Sequence, residues 1–302
     1  MRPLGWSAIS VLGPMGRDVA DTAFMMQASV GSHPMDPLSL GIQHETFWPV
    51  QAADLRSLRV AYTEDFGACA VDPMIRSVFR ERVQALSREV AVCEPLDWDL
   101  SDGHRCFDVI RAESFFAAFE EVYRTQPETL GPNVRANVEM AASITLADRA
   151  WSHLVQTRIN RQFQSAFERY DLILSPVTPL SPFPWTQLYA ESIDGQPQRN
   201  YYEWLSLTYM VTLATNPALS LPLGCDEAGM PFGLQMIGPL HRDAHLLRMA
   251  AALEQWGQTQ NGFSRPRPDM AALQQARPEL KSIVTHPPVF SDGAAVDTHN
   301  AV

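Results

Sequence analysis

Apolar side chains along the chain follow two spacings, and the switches between them mark its elements. Val19, Ala23, Met26 and Val30 recur at helical spacing beyond Pro14, so a helix is expected there with Gly31 as its C-terminal cap. The proline-broken HPMDPLSL that follows is expected to be loop. LRVAY (Leu58–Tyr62) and VAVCEP (Val90–Pro95) are short apolar runs with strand character. Between them, Asp72-Pro73 pairs a side-chain acceptor for the first helical amides with a residue pre-set for the first turn. Ile75, Val78, Phe79, Val83 and Leu86 then form one apolar stripe. Strand, helix and strand over this length predict a βαβ crossover, and with it a parallel part of the sheet.

Helices are expected across Phe107–Tyr123 and Leu146–Tyr170. The second leads into YDLILSPVTP (Tyr170–Pro179), a buried strand followed by a proline-stiffened loop. ALSLPLG and FGLQMIG, separated by CDEAGMP, suit an antiparallel hairpin with a longer turn. Pro222 cannot donate to a ladder and belongs at an edge or an irregularity. Asp243 is expected to cap a helix through about Trp256. The fold class that follows is α/β, a mixed β-sheet flanked by helices. Residues 1–263 read as one domain, and 264–302 as a proline-rich, poorly ordered tail.

Composition narrows the partners. Hydrophobic residues make up 46% of the 302 and charged ones 19%, which suits a globular chain with a sizeable core. A net charge of −11 offers no basic face for phosphates, so neither nucleic acid nor an anionic membrane is expected as a partner. WSAISVLGPM is broken by Gly13-Pro14 and followed by Arg17-Asp18, unlike a signal peptide. Cys69, Cys93, Cys106 and Cys225 form no CxxC pair, which points to reduced thiols and a cytoplasmic setting. Lys281 is the sole lysine of the sequence; the other cationic side chains of that kind are arginines.

Most catalytic signatures are missing: no GxSxG, no Walker loop, no GxGxxG after a strand, no HExxH. HRDAH sets His241 and His245 four residues apart, too few ligands for zinc, so no metal and no cofactor is expected. Glu113 and Glu120 share a predicted helix as surface carboxylates commonly do. Cys225 adjoins an acidic residue rather than the electropositive partner that a reactive thiol needs. A histidine–carboxylate hydrolase would require His33, His44 or His104 to meet a carboxylate in a cleft, and the spacing gives no such signal.

Four segments, in order, resemble the amidase signature family. GPMGRDVADTAFMMQA is similar to that family's GPMxRTVxDAAxxLxx segment, with DPLSL at the expected distance beyond it. LRVAYTEDFGACAVDP resembles its strand, loop and helix entry, and FERYDLILSPVTPLSPFP the strand and loop that help line its substrate cleft. TLATNPALSLPLGCDEAGMPFGLQMIGPLHRDAHLLRMAAALE is similar to its C-terminal hairpin and last helix. The resemblance runs from Leu12 to about Trp256. Thr212 stands where the family usually has asparagine and Thr215 where it usually has glycine, and a β-branched residue there restricts the backbone.

The resemblance implies an incomplete amidase-signature fold that hydrolyses carbon–nitrogen amide bonds or uses an amide as an ammonia donor. It also implies a serine nucleophile, a second serine in a cis peptide bond that relays the proton, and a lysine base. A Gly/Ser-rich loop would hold the oxyanion. In the family these groups precede the GPM segment. Residues 1–9 contain no Gly-Ser run, Gly31-Ser32 is an isolated dipeptide, and Lys281 lies beyond the similar segments. No catalytic residue is therefore carried over. The expectation is the C-terminal portion of an amidase, truncated and inactive alone. The alternative is a non-catalytic binding or regulatory subunit that complements a separate N-terminal half. Thr178 and Asn216, in loops bordering the implied cleft, are the substrate-pocket candidates, with loop-stabilising hydrogen bonds as their plainer role. The expected partner is a small-molecule amide once the missing half is supplied. An apolar face left uncovered by that half is the expected route to a homo-oligomer.

Overall fold

The computed structural model describes residues 3–39, 46–184 and 187–278, so His44 and Lys281 lie outside the described residues. Helix α1 (Val19–Ser29) is capped by Asp18, whose carboxylate accepts from Asp21 N, and it buries Val19 and Ala23. Its end differs from the expectation. Val30 turns to extended backbone and donates its N–H to Met26 O, so no left-handed glycine is required and Gly31 is not the cap.

Strand β1 (Arg59–Tyr62), helix α2 (Pro73–Leu86) and strand β2 (Val92–Pro95) build the crossover, with β1 and β2 parallel and Val60 opposite Cys93. Asp72 accepts from Met74 N, and all five stripe residues of α2 are buried. Helix α3 (Asp102–Thr125) starts at Asp102 rather than Phe107. At Gly103, in its first turn, a Cβ would lie 2.3 Å from Met210 Sδ. The glycine admits a neighbouring helix. Helix α4 (Pro132–Ala142) was not foreseen, and α5 (Leu146–Phe167) opens with a reciprocal Thr145–Asp148 capping box.

Strand β3 (Leu172–Pro176) is buried at every position, as a central strand covered on both faces should be. A small hairpin, β4 (Ser192–Ile193) and β5 (Gln196–Pro197), precedes α6 (Ser206–Ala214). Strands β6 (Ala218–Cys225) and β7 (Pro231–Ile237) form the expected antiparallel hairpin. The sheet order is β2-β1-β3-β7-β6, parallel between β1 and its two neighbours and antiparallel across β3–β7–β6. Pro222 sits on edge strand β6 beside a register break that ends at Cys225, where its missing N–H goes unneeded. In α7 (Asp243–Thr259) the cap position is Arg242, and Asp243 is the first helical residue. Its carboxylate therefore acts on the helix dipole from inside the first turn. A short α8 (Met270–Leu273) lies in the proline-rich stretch.

Two buried polar contacts join these layers. Gln235 on β7 donates through Nε2 to Ser175 Oγ on β3 (2.8 Å) and to Leu207 O on α6 (3.0 Å). Arg82 of α2, almost fully buried, donates to Leu223 O (3.1 Å) and Cys225 O (3.0 Å) at the β6 irregularity and stacks on Phe263 at 4.1 Å. Between those carbonyls lies Gly224 at φ +82, where a Cβ would strike Gly262 O at 2.1 Å. At the surface, Glu64 takes Arg76 (2.9 Å) and Arg80 (2.6 Å). Burial pushes its carboxyl up, but the hydrogen bonds from Arg80 and Arg76 outweigh that and hold it below the ordinary range.

Two outcomes are expected. Gln235→Ala strands the Leu207 and Ser175 acceptors and should cost about 1–3 kcal/mol in urea unfolding. A depressed carboxyl contributes stability above its unfolded pKa and loses it as pH falls through the folded one. Part of the acid destabilisation below about pH 4 should therefore be missing from Glu64→Gln when unfolding is followed against pH.

Candidate active-site pocket

The sheet brings three distant segments to the carboxyl end of β3. The loop leaving that strand supplies Thr178 and Phe183, the hairpin supplies Ser220, Pro222 and Phe232, and the turn before α6 supplies Trp204; together they line an open cavity of about 490 Å³. Phe183 and Trp204 meet edge to face, with centroids 5.6 Å apart at 74°. Trp204 Nε1 donates to Tyr201 O at 3.1 Å, which fixes the indole plane. Among the described residues, none that lines the cavity is charged. Ser181 donates to the Asp226 carboxylate, which also accepts the N–H groups of Ala228 and Met230 at 2.9 Å each. The hairpin turn is thus fastened to the β3 loop.

Charge collects behind the wall instead. Arg199 binds Glu203 (2.6 Å) and Asp108 (3.0 Å), and Tyr202 donates to Asp108 at 2.7 Å. Burial, then the Asp108 charge, pushes the Tyr202 phenol up. Burial works against the Arg199 cation, but Glu203 and Asp108 keep it firmly charged. His104 is the candidate histidine that approaches a carboxylate, with Nδ1 3.9 Å from Glu203 Oε1. Tyr209 Oη lies nearer, at 2.5 Å from Nδ1, and Nε2 faces Ala68 O at 3.0 Å. A carbonyl can only accept, so Nε2 donates to Ala68 O. This network braces the 199–206 segment against α3. None of its members lines the cavity.

The two pocket candidates part company. Thr178 lines the cavity, with its hydroxyl donating to Leu180 O at 3.2 Å. Asn216 is buried elsewhere: its Nδ2 donates to Gly238 O (2.9 Å) and its Oδ1 accepts from Gln164 (3.2 Å). It clamps the α6–β6 junction. Thr215 beside it adopts φ +60, ψ 17 as the C-cap of α6, the left-handed backbone that glycine tolerates and a β-branched residue does not. His33 Nδ1 accepts Met35 N within its own loop. Glu113 is paired with Arg149 at 2.6 Å and Glu120 with Arg124 at 3.9 Å. His241 precedes α7 at φ +60 and His245 lies within it. Among the described residues no group of three or more His, Cys, Asp or Glu could hold a metal. Burial raises the Cys69 and Cys106 thiols to about 12 and Cys93 to about 11, which leaves them protonated and poor nucleophiles.

Sequence reasoning missed Phe183, Trp204, Ser220 and Phe232 as wall residues. The available signal was aromatic residues set among prolines in SPFP and MPF, which spacing alone does not bring together.

The sequence profile of the Amidase family matches residues 6–247. The chain belongs to that family. It is 27% identical over 289 residues to the glutamyl-tRNA(Gln) amidotransferase A-subunit of Moorella thermoacetica, covering 87% of this chain and 57% of the relative. The same protein of Acaryochloris marina is 31% identical, covering 82% of this chain and 56% of its own length. The chain thus spans little more than half the length of these relatives. Among solved structures, a bacterial aryl acylamidase of the amidase signature enzymes superposes with a TM-score of 0.75 at 20% identity, over 84% of this chain and 55% of that one. The glutamyl-tRNA(Gln) amidotransferase A-subunit of Thermotoga maritima gives 0.60 at 21% identity, over 85% and 55%. These likenesses share the mixed sheet with flanking helices.

Thr215→Gly should relieve the left-handed strain and raise unfolding stability by about 1 kcal/mol. Chemical denaturation of the two proteins checks this, with an unchanged slope expected.

Proposed function

We propose that this chain serves chemistry at carbon–nitrogen amide bonds, as the portion of an amidase that shapes the substrate pocket. The nucleophilic serine, the relay serine and the base lysine are carried by residues outside these 302. The observation that carries this reading is the family match combined with an uncharged cavity at the carboxyl end of the central strand, where open α/β sheets place their ligands. The relatives divide between amide hydrolases such as the aryl acylamidase and a component of an amidotransferase. Hydrolysis is the reading adopted, and cofactors play no part in it. Four unpaired cysteines support a cytoplasmic setting. Among the described residues no helix is long and apolar enough to cross a membrane.

A second reading, a non-catalytic subunit that pairs with a separate N-terminal half, draws on one observation. Trp6, Val11, Leu12 and Met15 are 78%, 74%, 91% and 89% exposed, a run of apolar surface that a covering polypeptide would bury.

Ammonia release from acetamide, benzamide and glutamine, and aniline release from acetanilide, test the proposal. The 302-residue chain should turn over none of them. Turnover should appear when residues bearing the Gly/Ser-rich signature and its lysine are supplied, as an upstream extension or as a second polypeptide. Activity of the chain alone that survives Lys281→Ala would overturn the reading. Sedimentation of chain and added half together separates a heterologous complex from self-association through the same apolar face.

A further inference from the structure

We propose that the cavity bounded by Thr178, Phe183 and Trp204 takes the uncharged aromatic group of a small amide and excludes amides that carry a free α-amino and α-carboxyl group. The word amide rests on the function proposed above; the choice of ring over zwitterion rests on the walls.

In a chain that is 19% charged with a net charge of −11, none of the described residues around this cavity carries a charge. Asp226, the carboxylate bonded to the lining residue Ser181, is spent on that hydroxyl and two backbone amides. The Arg199–Asp108–Glu203 cluster is turned to α3 and braces the wall from behind. A zwitterion entering here would meet no counter-charge among the described lining residues, so whatever hydration its charged ends give up on these apolar walls is not repaid. An aromatic ring loses little and gains two partners. Phe183 and Trp204 stand at 74° to one another, so a ring that stacks on one meets the other edge-on, the arrangement aromatic quadrupoles favour. Pro182, Pro222 and Pro231 stiffen the rim, which lowers the ordering cost of binding. The volume of about 490 Å³ falls in the range of small-ligand pockets and suits a substituted ring with an attached amide. Thr178 and Ser181 hydroxyls donate to Leu180 O and to Asp226, leaving Ser220 as the third hydroxyl of the lining. That polarity matches one amide group and not two ionic ends.

Isothermal titration of the full chain with acetanilide, benzamide and L-glutamine tests this without any catalytic group. The two aromatic amides should bind and glutamine should not. Trp204→Ala and Phe183→Ala should each weaken aromatic binding about tenfold. Ser220→Arg, at an exposed position of edge strand β6, should abolish it while the melting temperature stays put, which separates loss of the pocket from loss of the fold. Glutamine binding as tightly as acetanilide, no binding of either aromatic amide, or unchanged binding by Ser220→Arg would each overturn the proposal. Binding and turnover fail separately. Aromatic amides that bind while the complemented protein releases neither ammonia from benzamide nor aniline from acetanilide leave the pocket assignment standing and sink the amidase reading. Turnover confined to glutamine does the reverse.

Discussion

The side chain of Gln235 holds the middle of this molecule to one arrangement. Gln235 and Ser175 stand opposite each other in the β3–β7 ladder, and both are buried. The amide reaches Ser175 Oγ at 2.8 Å and Leu207 O at 3.0 Å. An interior amide that lost these acceptors would forfeit about 1–3 kcal/mol, so one register of β7 and one seat for α6 satisfy it. A slip of a single residue would also turn the apolar face of β7 outward. Each wall of the cavity is attached to one of the three elements it joins. Thr178 and Phe183 leave β3, Trp204 leads into α6, and Ser220 and Phe232 belong to the β6–β7 hairpin.

The second constraint is electrostatic and lies outside the cavity. Asp108 on α3 gathers Arg199 and Tyr202, and Glu203 takes the remaining face of the guanidinium. Phe107, one residue before Asp108, stacks on Tyr209 at 4.1 Å, so ring packing and ion pairing fix the same segment. Trp204 sits in a single 3-10 turn, Glu203–Leu205, that runs into α6, and these side-chain contacts add to what that short turn provides. Keeping the charges at the rear of the wall leaves its front surface apolar.

Much of this architecture was legible in the sequence, and the failures share a cause. The α2 stripe and its Asp72-Pro73 entry, the parallel β1–β2 pair, buried β3 and the hairpin with Pro222 at an irregularity all follow from local periodicity and turn chemistry. Helix α6 did not emerge because SLTYMVTLA is apolar on nearly every side, and a helix buried all round shows no amphipathic period. Helix α3 begins five residues before the expected Phe107, and its first turn carries Gly103 for a tertiary reason: Met210 on another helix needs the space that a Cβ would fill. Thr215 was noticed as a departure from glycine, and its positive φ gives the physical cost of that departure. Of the two pocket candidates, Thr178 reached the cavity because it directly follows β3. Asn216 turned to Gly238 and Gln164, contacts that no spacing rule anticipates.

The cavity's construction from stretches far apart along the chain gives it a thermodynamic character of its own. A molecule seated between Phe183, Trp204 and Phe232 recognises β3, α6 and the hairpin only when all three are assembled, and it has nothing comparable to hold in the unfolded chain. Occupancy therefore draws the whole population toward the folded state, by RT ln(1 + [L]/Kd), or about 2.7 kcal/mol at a hundredfold excess over Kd. Any ligand seated there would make the chain's stability, and not only its chemistry, depend on how full the pocket is.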